Sequence, residues 1–359
     1  MADTANVHAE SARNSGAGNI ARPLKVQLHV HSERSLDSHW PVQELRRHYD
    51  QLGFDAIFLT DHDRTARSQE LSFERRPLLL PGSELSLSMP FWPLGPHLVL
   101  LGVEHIPLDL HWAAHRSSWP AWPWGRTKLH DLFAWIARHQ PGVLPVLAHL
   151  HWPGNLGTGG WYPYLDALID AWQQLPPGLP LLVELLNPHS PTDQDRRLWH
   201  TLLAAASPQH PVWGVGSDDA HHSDEAGQAW VELWPGVGGQ DASHPAHPSR
   251  PAPAAETVYQ ALAHGHFVAT SGPPLRVAVE PFPLPAGREL LAETVPGIHL
   301  RLVGRGGQLV AESDGPHMRW PLPRGIGQGV VQVEAYSPAA RTVPGTFWPN
   351  VAFSQPIWT

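Results

Sequence analysis

Residues 25–62 read KVQLHVHSERSLDSHWPVQELRRHYDQLGFDAIFLTDH and hold two apolar runs on either side of a more polar segment. The runs at 25–31 and 55–62 are rich in Val, Ile and Leu, which is typical of buried strands. The segment between them, 42–53, is predicted to be a helix. Strands that alternate with helices favour a parallel sheet with the helices outside it. This stretch therefore predicts a strand, a helix and a second strand of an α/β protein.

Five further apolar runs continue the same plan and bring the number of predicted strands to seven. They are RPLLLPGSEL (76–85), HLVLLGV (97–103), LPVLAHLH (144–151), LLVELLN (181–187) and VWGVGSDD (212–219). Further helices are predicted at 129–140 and 193–206. Seven strands within roughly 200 residues fit a closed or nearly closed β/α barrel better than an open sheet.

The remaining segments differ from the strand–helix pattern. Residues 1–23 are small and polar, without the apolar run of a signal peptide, and are predicted to be a flexible tail. Residues 235–255 are dense in Pro and Gly and predict a solvated loop, followed by a short helix at 256–265. From 275 to 359 the strands alternate, which predicts a small antiparallel, β-sandwich-like domain after a barrel domain at 24–274.

The composition excludes several classes of function. The 359 residues carry a formal net charge of −9, and only Lys25 and Lys128 are lysines. This charge argues against a nucleic-acid partner or an anionic membrane surface. The absence of cysteine excludes disulfides, thiol nucleophiles and thiolate metal sites. With no apolar run long enough to span a membrane, a soluble cytoplasmic protein is expected.

Ionisable residues stand at or just beyond the C-terminal end of six apolar runs and at the start of the fourth. The candidates are His29, His31, Asp37, Asp61, His62, Glu84, His97, His149, His151, Glu184, Asp218, Asp219 and His221. The C-terminal ends of barrel strands meet at one mouth, where active sites form. A chain with 25 histidines places many of them on its surface, but this ordered set predicts a metal site of imidazoles and carboxylates.

Six segments of the chain, taken together, resemble the successive motifs of the PHP (polymerase and histidinol phosphatase) superfamily. The matching segments are LHVHSERSLDS, GFDAIFLTDHD, PGSEL, PHLVLLGV, LAHLHWPG and GVGSDDAHH. The resemblance runs from about Lys25 to Pro274 and implies a distorted (β/α)7 barrel. The later segment ETVYQALAHGHFVATSGPPL and the SQPI at 354–357 are similar to the carbaryl-hydrolase-like branch of that superfamily.

The resemblance implies two or three divalent metal ions, and Zn²⁺, Mn²⁺ and Fe²⁺ all suit nitrogen and oxygen ligands. His29, His31, Glu84 and Asp219 would hold one ion. Glu84 would bridge to a second ion at His97 and His149, and a third, present in some members, would use Asp37, His62 and His221. Ions about 3.5–4 Å apart can share a hydroxide and stabilise the transition state of hydrolysis.

Three departures from the superfamily pattern affect the assignment. Leu150 follows His149 where many relatives have proline, so His149 is the predicted ligand and His151 a substrate contact or a bystander. Two aspartates precede Ala220, and the spacing selects Asp219 as ligand and leaves Asp218 beside it. The chain also lacks an arginine next to the fifth-strand histidine, where some phosphatase members keep one for phosphate.

Further side chains are candidates for catalysis or substrate binding. Asp61, Glu184 and Asp218 are the candidate catalytic carboxylates, although each could equally well serve a structural role. Arg34 and Arg64, or Arg67, could contact a phosphate, but surface arginines are common. Trp152 is the best candidate for an aromatic contact with substrate, and a tryptophan-rich stretch is read first as core packing. That stretch holds Trp92, Trp112, Trp119, Trp122 and Trp124.

These features predict a metal-dependent hydrolase, and a phosphoesterase for a small molecule is favoured. Hydrolysis of a carbamate, ester or amide at the same site is the second prediction, and the carbaryl-hydrolase-like segment supports it. From another class, a metal-stabilised binding scaffold without turnover stays open. The sequence leaves the oligomeric state open.

Overall fold

The computed structural model describes most of the chain. The described residues are 22–66, 69–73, 75–87, 96–106, 126–139, 142–152, 160–161, 165–173, 177–234, 254–282, 287–322, 329–338 and 345–358. The predicted tail up to residue 21, most of the Pro-rich loop, Arg67 and the five clustered tryptophans lie outside these residues. None of the described helices is long and apolar enough to cross a membrane.

The elements described up to residue 234 are eight strands and four α-helices, and most of them were predicted from the sequence pattern. The elements are β1 (Leu24–Gln27), α1 (Val42–Gln51), β2 (Ala56–Leu59), β3 (Leu78–Ser86), β4 (His97–Leu101), α2 (Arg126–His139), β5 (Leu144–Leu147), α3 (Leu165–Gln173), β6 (Leu181–Leu186), α4 (Thr192–Ala205), β7 (Val212–Gly216) and β8 (Trp230–Leu233). Helix α3 and strand β8 were not predicted. Helix α1 buries Val42, Leu45 and Tyr49, which share one face at helical spacing.

The rest of the chain is mostly antiparallel strand. Its elements are α5 (Ala255–Ala263), β9 (Phe267–Thr270), β10 (Arg276–Phe282), β11 (Gly287–Glu293), β12 (His299–Val303), β13 (Leu309–Ser313), β14 (His317–Leu322), β15 (Val330–Tyr336), β16 (Val351–Ser354) and β17 (Ile357–Trp358). Strands β10, β11 and β14 form a separate three-stranded sheet. Strand β16 pairs with β9, so the large sheet continues across the predicted domain boundary at residue 274.

The large mixed sheet has the order β13-β12-β15-β16-β9-β8-β1-β2-β3-β4-β5-β6-β7. Pairing is parallel between β1, β2 and β3 and again between β5, β6 and β7. Strand β4 is antiparallel to both neighbours, so it departs from the predicted parallel sheet. Only ten residues separate β3 from β4, fewer than the dozen or more that a crossover to a parallel strand needs.

Several strands end earlier than the apolar runs predict, and the polar residues follow in irregular backbone. His149 and Asp219 have φ angles of 27° and 52°, in the left-handed region that non-glycine residues rarely adopt. The ladder therefore stops before them. Beyond β1 and β7, an isolated bridge joins Val30 to Ala220. The His31 N–H donates to the Ala220 carbonyl at 2.9 Å, which brings these two segments side by side.

Candidate metal centre

Four buried side chains from three segments converge where the strands end. His29 and His31 follow β1, Glu84 lies in β3 and Asp219 follows β7. Five of the distances between His29 Nε2, His31 Nε2, Glu84 Oε2 and Asp219 Oδ1 lie between 3.1 and 3.3 Å. The predicted ligands of the first ion are thus brought together, and we call these four residues the inner group.

The spacing of the inner group suits a metal ion. Four donors placed about 2.0–2.1 Å from a tetrahedral ion are separated from one another by about 3.3–3.4 Å. The observed separations of 3.1–3.3 Å are close to that value. Nitrogen and oxygen donors without sulfur suit several divalent metals, so the geometry does not select one.

The hydrogen bond on the far side of His29 supports the same conclusion. His29 Nδ1 lies 2.7 Å from Glu184 Oε1, and a carboxylate can only accept. Nδ1 therefore carries the proton, and in the neutral ring Nε2 is a lone pair. That lone pair faces Glu84 and Asp219 at 3.2 and 3.3 Å, which is repulsive unless Nε2 takes up a proton or a metal ion lies between the three groups. A carboxylate behind a ligand histidine is a common feature of metal sites.

Glu84 connects the inner group to a second set of histidines through its other oxygen. Oε1 lies 2.9 Å from His97 Nδ1 and 3.1 Å from His149 Nε2. The opposite nitrogens of these two rings are buried without a hydrogen-bond partner in the described part of the chain. His97 reaches the site from the start of β4 because that strand runs antiparallel to its neighbours. The same reversal explains why the fourth run carries its histidine at the opposite end.

A third set lies nearer to solvent and shares His31 with the inner group. Asp37 Oδ2 lies 3.1 Å from His62 Nε2 and 3.3 Å from His221 Nε2. His221 Nδ1 donates to the Asp219 carbonyl at 2.9 Å, so the Nε2 of the neutral ring is a lone pair directed at a carboxylate. His31, Asp37, His62 and His221 have potential ligand atoms within 4.8 Å of one another, and we call them the outer group.

The charge balance of the buried carboxylates also calls for cations. Glu84, Glu184 and Asp219 are at most 5% exposed, and their ion-pair partners in the described part of the chain are all histidines. Burial alone lowers the pKa of His29, but Asp219, Glu84 and Glu184 outweigh it and raise that pKa well above its usual value. Burial holds the pKa of His97 below its usual value, which keeps the ring neutral and able to bind metal.

Two of the three candidate catalytic carboxylates make their hydrogen bonds to residues other than the candidate metal ligands. Asp61 accepts hydrogen bonds from the backbone N–H and the hydroxyl of Ser32. Asp218 accepts from Gln27, from Tyr49 and from the backbone N–H groups of residues 227–229. These contacts hold loops in place. Glu184 instead touches His29 directly, and it also accepts from Ser217 and from the His149 N–H.

The candidate substrate residues have different surroundings. The Trp152 ring lies 5.1 Å from that of His149 and 5.8 Å from that of His97, so it borders the metal centre. His151 Nδ1 lies 2.8 Å from buried Asp195. Arg34 pairs with Glu70 at 2.6 Å, and the Arg64 guanidinium donates to the Arg34 carbonyl at 3.1 Å. Neither arginine contacts a residue of the inner group through these bonds.

Several residues around the ligands were missed by the sequence analysis. Ser35 Oγ lies 2.8 Å from His31 Nδ1, and the Asn187 amide donates to Glu184 at 2.7 Å. His189 and Glu225 have potential ligand atoms within 4.8 Å of one on His221. Three of these residues lie close in sequence to a predicted site residue: Ser35 follows His31 by four positions, and Asn187 and His189 follow Glu184 by three and five. Polar residues in the segments that follow predicted site residues were therefore the signal that could have identified them.

No family model matches the chain, and no curated protein matches it. What the site does is therefore inferred from its motifs, geometry and chemistry.

Proposed function

We propose that this chain is a metal-dependent hydrolase of the PHP superfamily, and most specifically a phosphoesterase that acts on a small molecule. The ordered motifs and their convergence on one cluster support the superfamily assignment. The bridge between Val30 and Ala220 joins the segments after the first and seventh strands. That contact supports a distorted (β/α)7 barrel, in which these two strands would be neighbours.

The bridging position of Glu84 is the observation that carries the proposal. Its Oε2 lies 3.2 Å from His29 and from His31, while its Oε1 faces His97 and His149 at 2.9 and 3.1 Å. One carboxylate with histidines around both of its oxygens is the arrangement that two neighbouring ions share. The outer group adds donors for a third ion.

Bound divalent ions would supply Lewis acidity and an activated water for hydrolysis. The protein's own groups fix where this chemistry takes place. Glu184 holds the His29 ring with Nε2 towards the inner group, and Ser35 contacts the far nitrogen of His31. Trp152 packs against the rings of His149 and His97 on one side of the site.

Hydrolysis of a carbamate, ester or amide is the second candidate, and the state of Arg34 favours it. Its guanidinium is ion-paired with Glu70 at 2.6 Å, so it is not poised as a dedicated phosphate clamp. A carbonyl substrate needs no such clamp, because its developing oxyanion carries less charge than a phosphate. Both substrates would use the same metal ligands.

Metal analysis combined with two model substrates tests the proposal. We expect about two or three equivalents of Zn, Mn or Fe, and p-nitrophenyl phosphate hydrolysis that a chelator abolishes and added metal restores. Cleavage of p-nitrophenyl acetate alone would favour the carbonyl substrates, and metal without turnover would favour a scaffold. Protein that binds no metal after reconstitution would contradict the proposal.

The variant Glu84→Gln tests the bridge itself. Loss of one negative charge between two ions should cost more than the roughly 10–100-fold loss in affinity that follows removal of a residue behind a ligand. Metal content should therefore fall below that of the wild type and activity should be lost. Full metal content in Glu84→Gln would rule out Glu84 as a bridge.

A further inference from the structure

A fourth set of potential ligands lies on the solvent side of the outer group. His189, in the loop between β6 and α4, and Glu225 have potential ligand atoms within 4.8 Å of one on His221. Glu225 is held beside His221, since its Oε2 accepts the backbone N–H of His221 at 2.7 Å and of His222 at 3.2 Å. The His189 ring approaches the His221 ring edge-on, with 6.3 Å between centroids. We call these three residues the entrance group.

Neighbouring groups share ligands in a continuous series from solvent to the core. The entrance and outer groups share His221, and the outer and inner groups share His31. Exposure falls along the same series: His189 is exposed, His221 is half-buried and His31 is fully buried. An ion could therefore move inward by exchanging one ligand at a time while a shared histidine keeps hold of it.

The entrance group is too open to hold an ion as firmly as the inner group. Its three residues include one exposed side chain, and their separations are bounded only at 4.8 Å, compared with 3.1–3.3 Å in the inner group. Three protein ligands would leave the remaining positions to water. His221 Nε2 can serve only one ion at a time, so the entrance and outer groups cannot both use it.

We propose that His189, Glu225 and His221 form a transit site through which divalent cations enter and leave the metal centre. The proposal rests on the proposed function, because it requires that the inner group binds metal. A transit site changes the rate at which metal-free and metal-loaded protein interconvert, and it leaves the free energies of these two states unchanged. Removing it must therefore slow metal uptake and metal release by the same factor and leave the equilibrium affinity as it was.

The test measures metal uptake by the full-length apoprotein. Co²⁺ is mixed with wild-type protein and with His189→Ala, and binding is followed by the visible absorption of bound Co²⁺. Release is then measured by dilution into excess chelator. We expect uptake and release both to slow by about three- to tenfold in His189→Ala, with unchanged stoichiometry and affinity. Glu225→Gln, which keeps an oxygen for the backbone N–H groups, should slow both in the same direction.

His39→Ala is the matched control, because His39 is an exposed histidine two residues from Asp37 and belongs to none of the four sets of potential ligands. Its uptake rate should equal that of the wild type. Unchanged rates in His189→Ala would overturn the transit site, and direct entry at exposed Asp37 would then be the path. A weaker equilibrium affinity in His189→Ala would also overturn it, since His189 would then be a resident ligand. Protein that binds no Co²⁺ at all would instead contradict the proposed function.

Discussion

Two buried histidines in different regions of this protein, His29 and His200, have pKa values shifted in opposite directions. In the inner group, His29 is surrounded by Glu84, Glu184 and Asp219, and these raise its pKa well above the usual value despite burial. At the junction between α4 and the C-terminal strands, His200 is 6% exposed and meets Gln332 at 3.4 Å. There burial, and then the charge of Arg196, lower its pKa to about 4.

The difference shows which buried histidines mark a cation site. Burial alone disfavours the imidazolium, so a histidine without carboxylates becomes a neutral packing residue. His200 is such a residue, and it packs beside fully buried Trp199 with 5.7 Å between ring centroids. Carboxylates around His29 favour positive charge, whether from protons or from metal ions. Composition alone, with 25 histidines, cannot make this distinction.

Among the variants that compare the two regions, the largest effect is expected when the support behind His29 is removed. In Glu184→Gln the carboxylate that accepts from His29 Nδ1 becomes a neutral amide, so the ring is less basic and less firmly oriented. Metal affinity should fall by about 10–100-fold. Competition with a chelator of known affinity measures this change directly.

Glu334→Gln provides the control from the other region. Glu334 is also a largely buried carboxylate, but it pairs with Arg196 and lies beside Gln332 rather than a metal ligand. Its replacement should lower stability and leave metal affinity unchanged. Equal loss of affinity in both variants would mean that Glu184 acts through general stability and not through His29.

The second largest effect is expected in the pH dependence of the free energy of unfolding, through the titration of His200. Its pKa is about 4 in the folded protein and 6.5 in the unfolded chain. The unfolded state therefore binds more protons at this residue between these values, and the contribution of His200 to the free energy of unfolding falls as the pH drops below about 6.5. From pH 8 to pH 5 the loss from this one group is about 2 kcal/mol.

His200→Gln removes this titration while keeping a polar side chain. Urea unfolding at pH 8 and pH 5 should show a smaller loss of stability in the variant than in the wild type, by about the same 2 kcal/mol. Both proteins are measured with the same metal content, because the metal centre has its own pH dependence. An identical loss in both proteins would show that His200 is not the group responsible.

Much of the candidate ligand set could be predicted because the strand order brings residues that are far apart in the sequence to one edge of the sheet. Strand ends meet at one edge, so polar residues that follow apolar runs converge there, as His29, His31, Glu84 and Asp219 do. Asp219 was separable from Asp218 by the Asp-x-His spacing of the superfamily that the sequence resembles. In the structure the two side chains have different partners: Asp219 lies in the inner group, whereas Asp218 accepts the backbone N–H groups of residues 227–229.

What the sequence could not predict depends on contacts between distant segments. The reversed direction of β4 is the exception: the link between the third and fourth apolar runs is too short for a crossover, so the sequence held this signal and the prediction did not use it. The support of Glu184 for His29 spans 155 positions in the chain. The entrance group needs the β6–α4 loop to lie against the segment after β7, which no local pattern indicates. The motifs predict ligands, while tertiary contacts decide what orients them.

The smallest effect concerns the tryptophan beside the metal ligands. Trp152 is partly exposed and packs on His149 and His97, whereas Trp199 packs on His200 and is fully buried. If Trp152 stacks on substrate, Trp152→Ala should raise KM by about three- to tenfold, in line with the roughly 0.5–1.5 kcal/mol of an aromatic contact. The turnover number and thermal midpoint should change little. Trp199→Phe should instead lower the thermal midpoint and leave KM unchanged. An unaltered KM in Trp152→Ala would show that this ring only shields the imidazoles, and that the substrate is bound by other residues around the mouth.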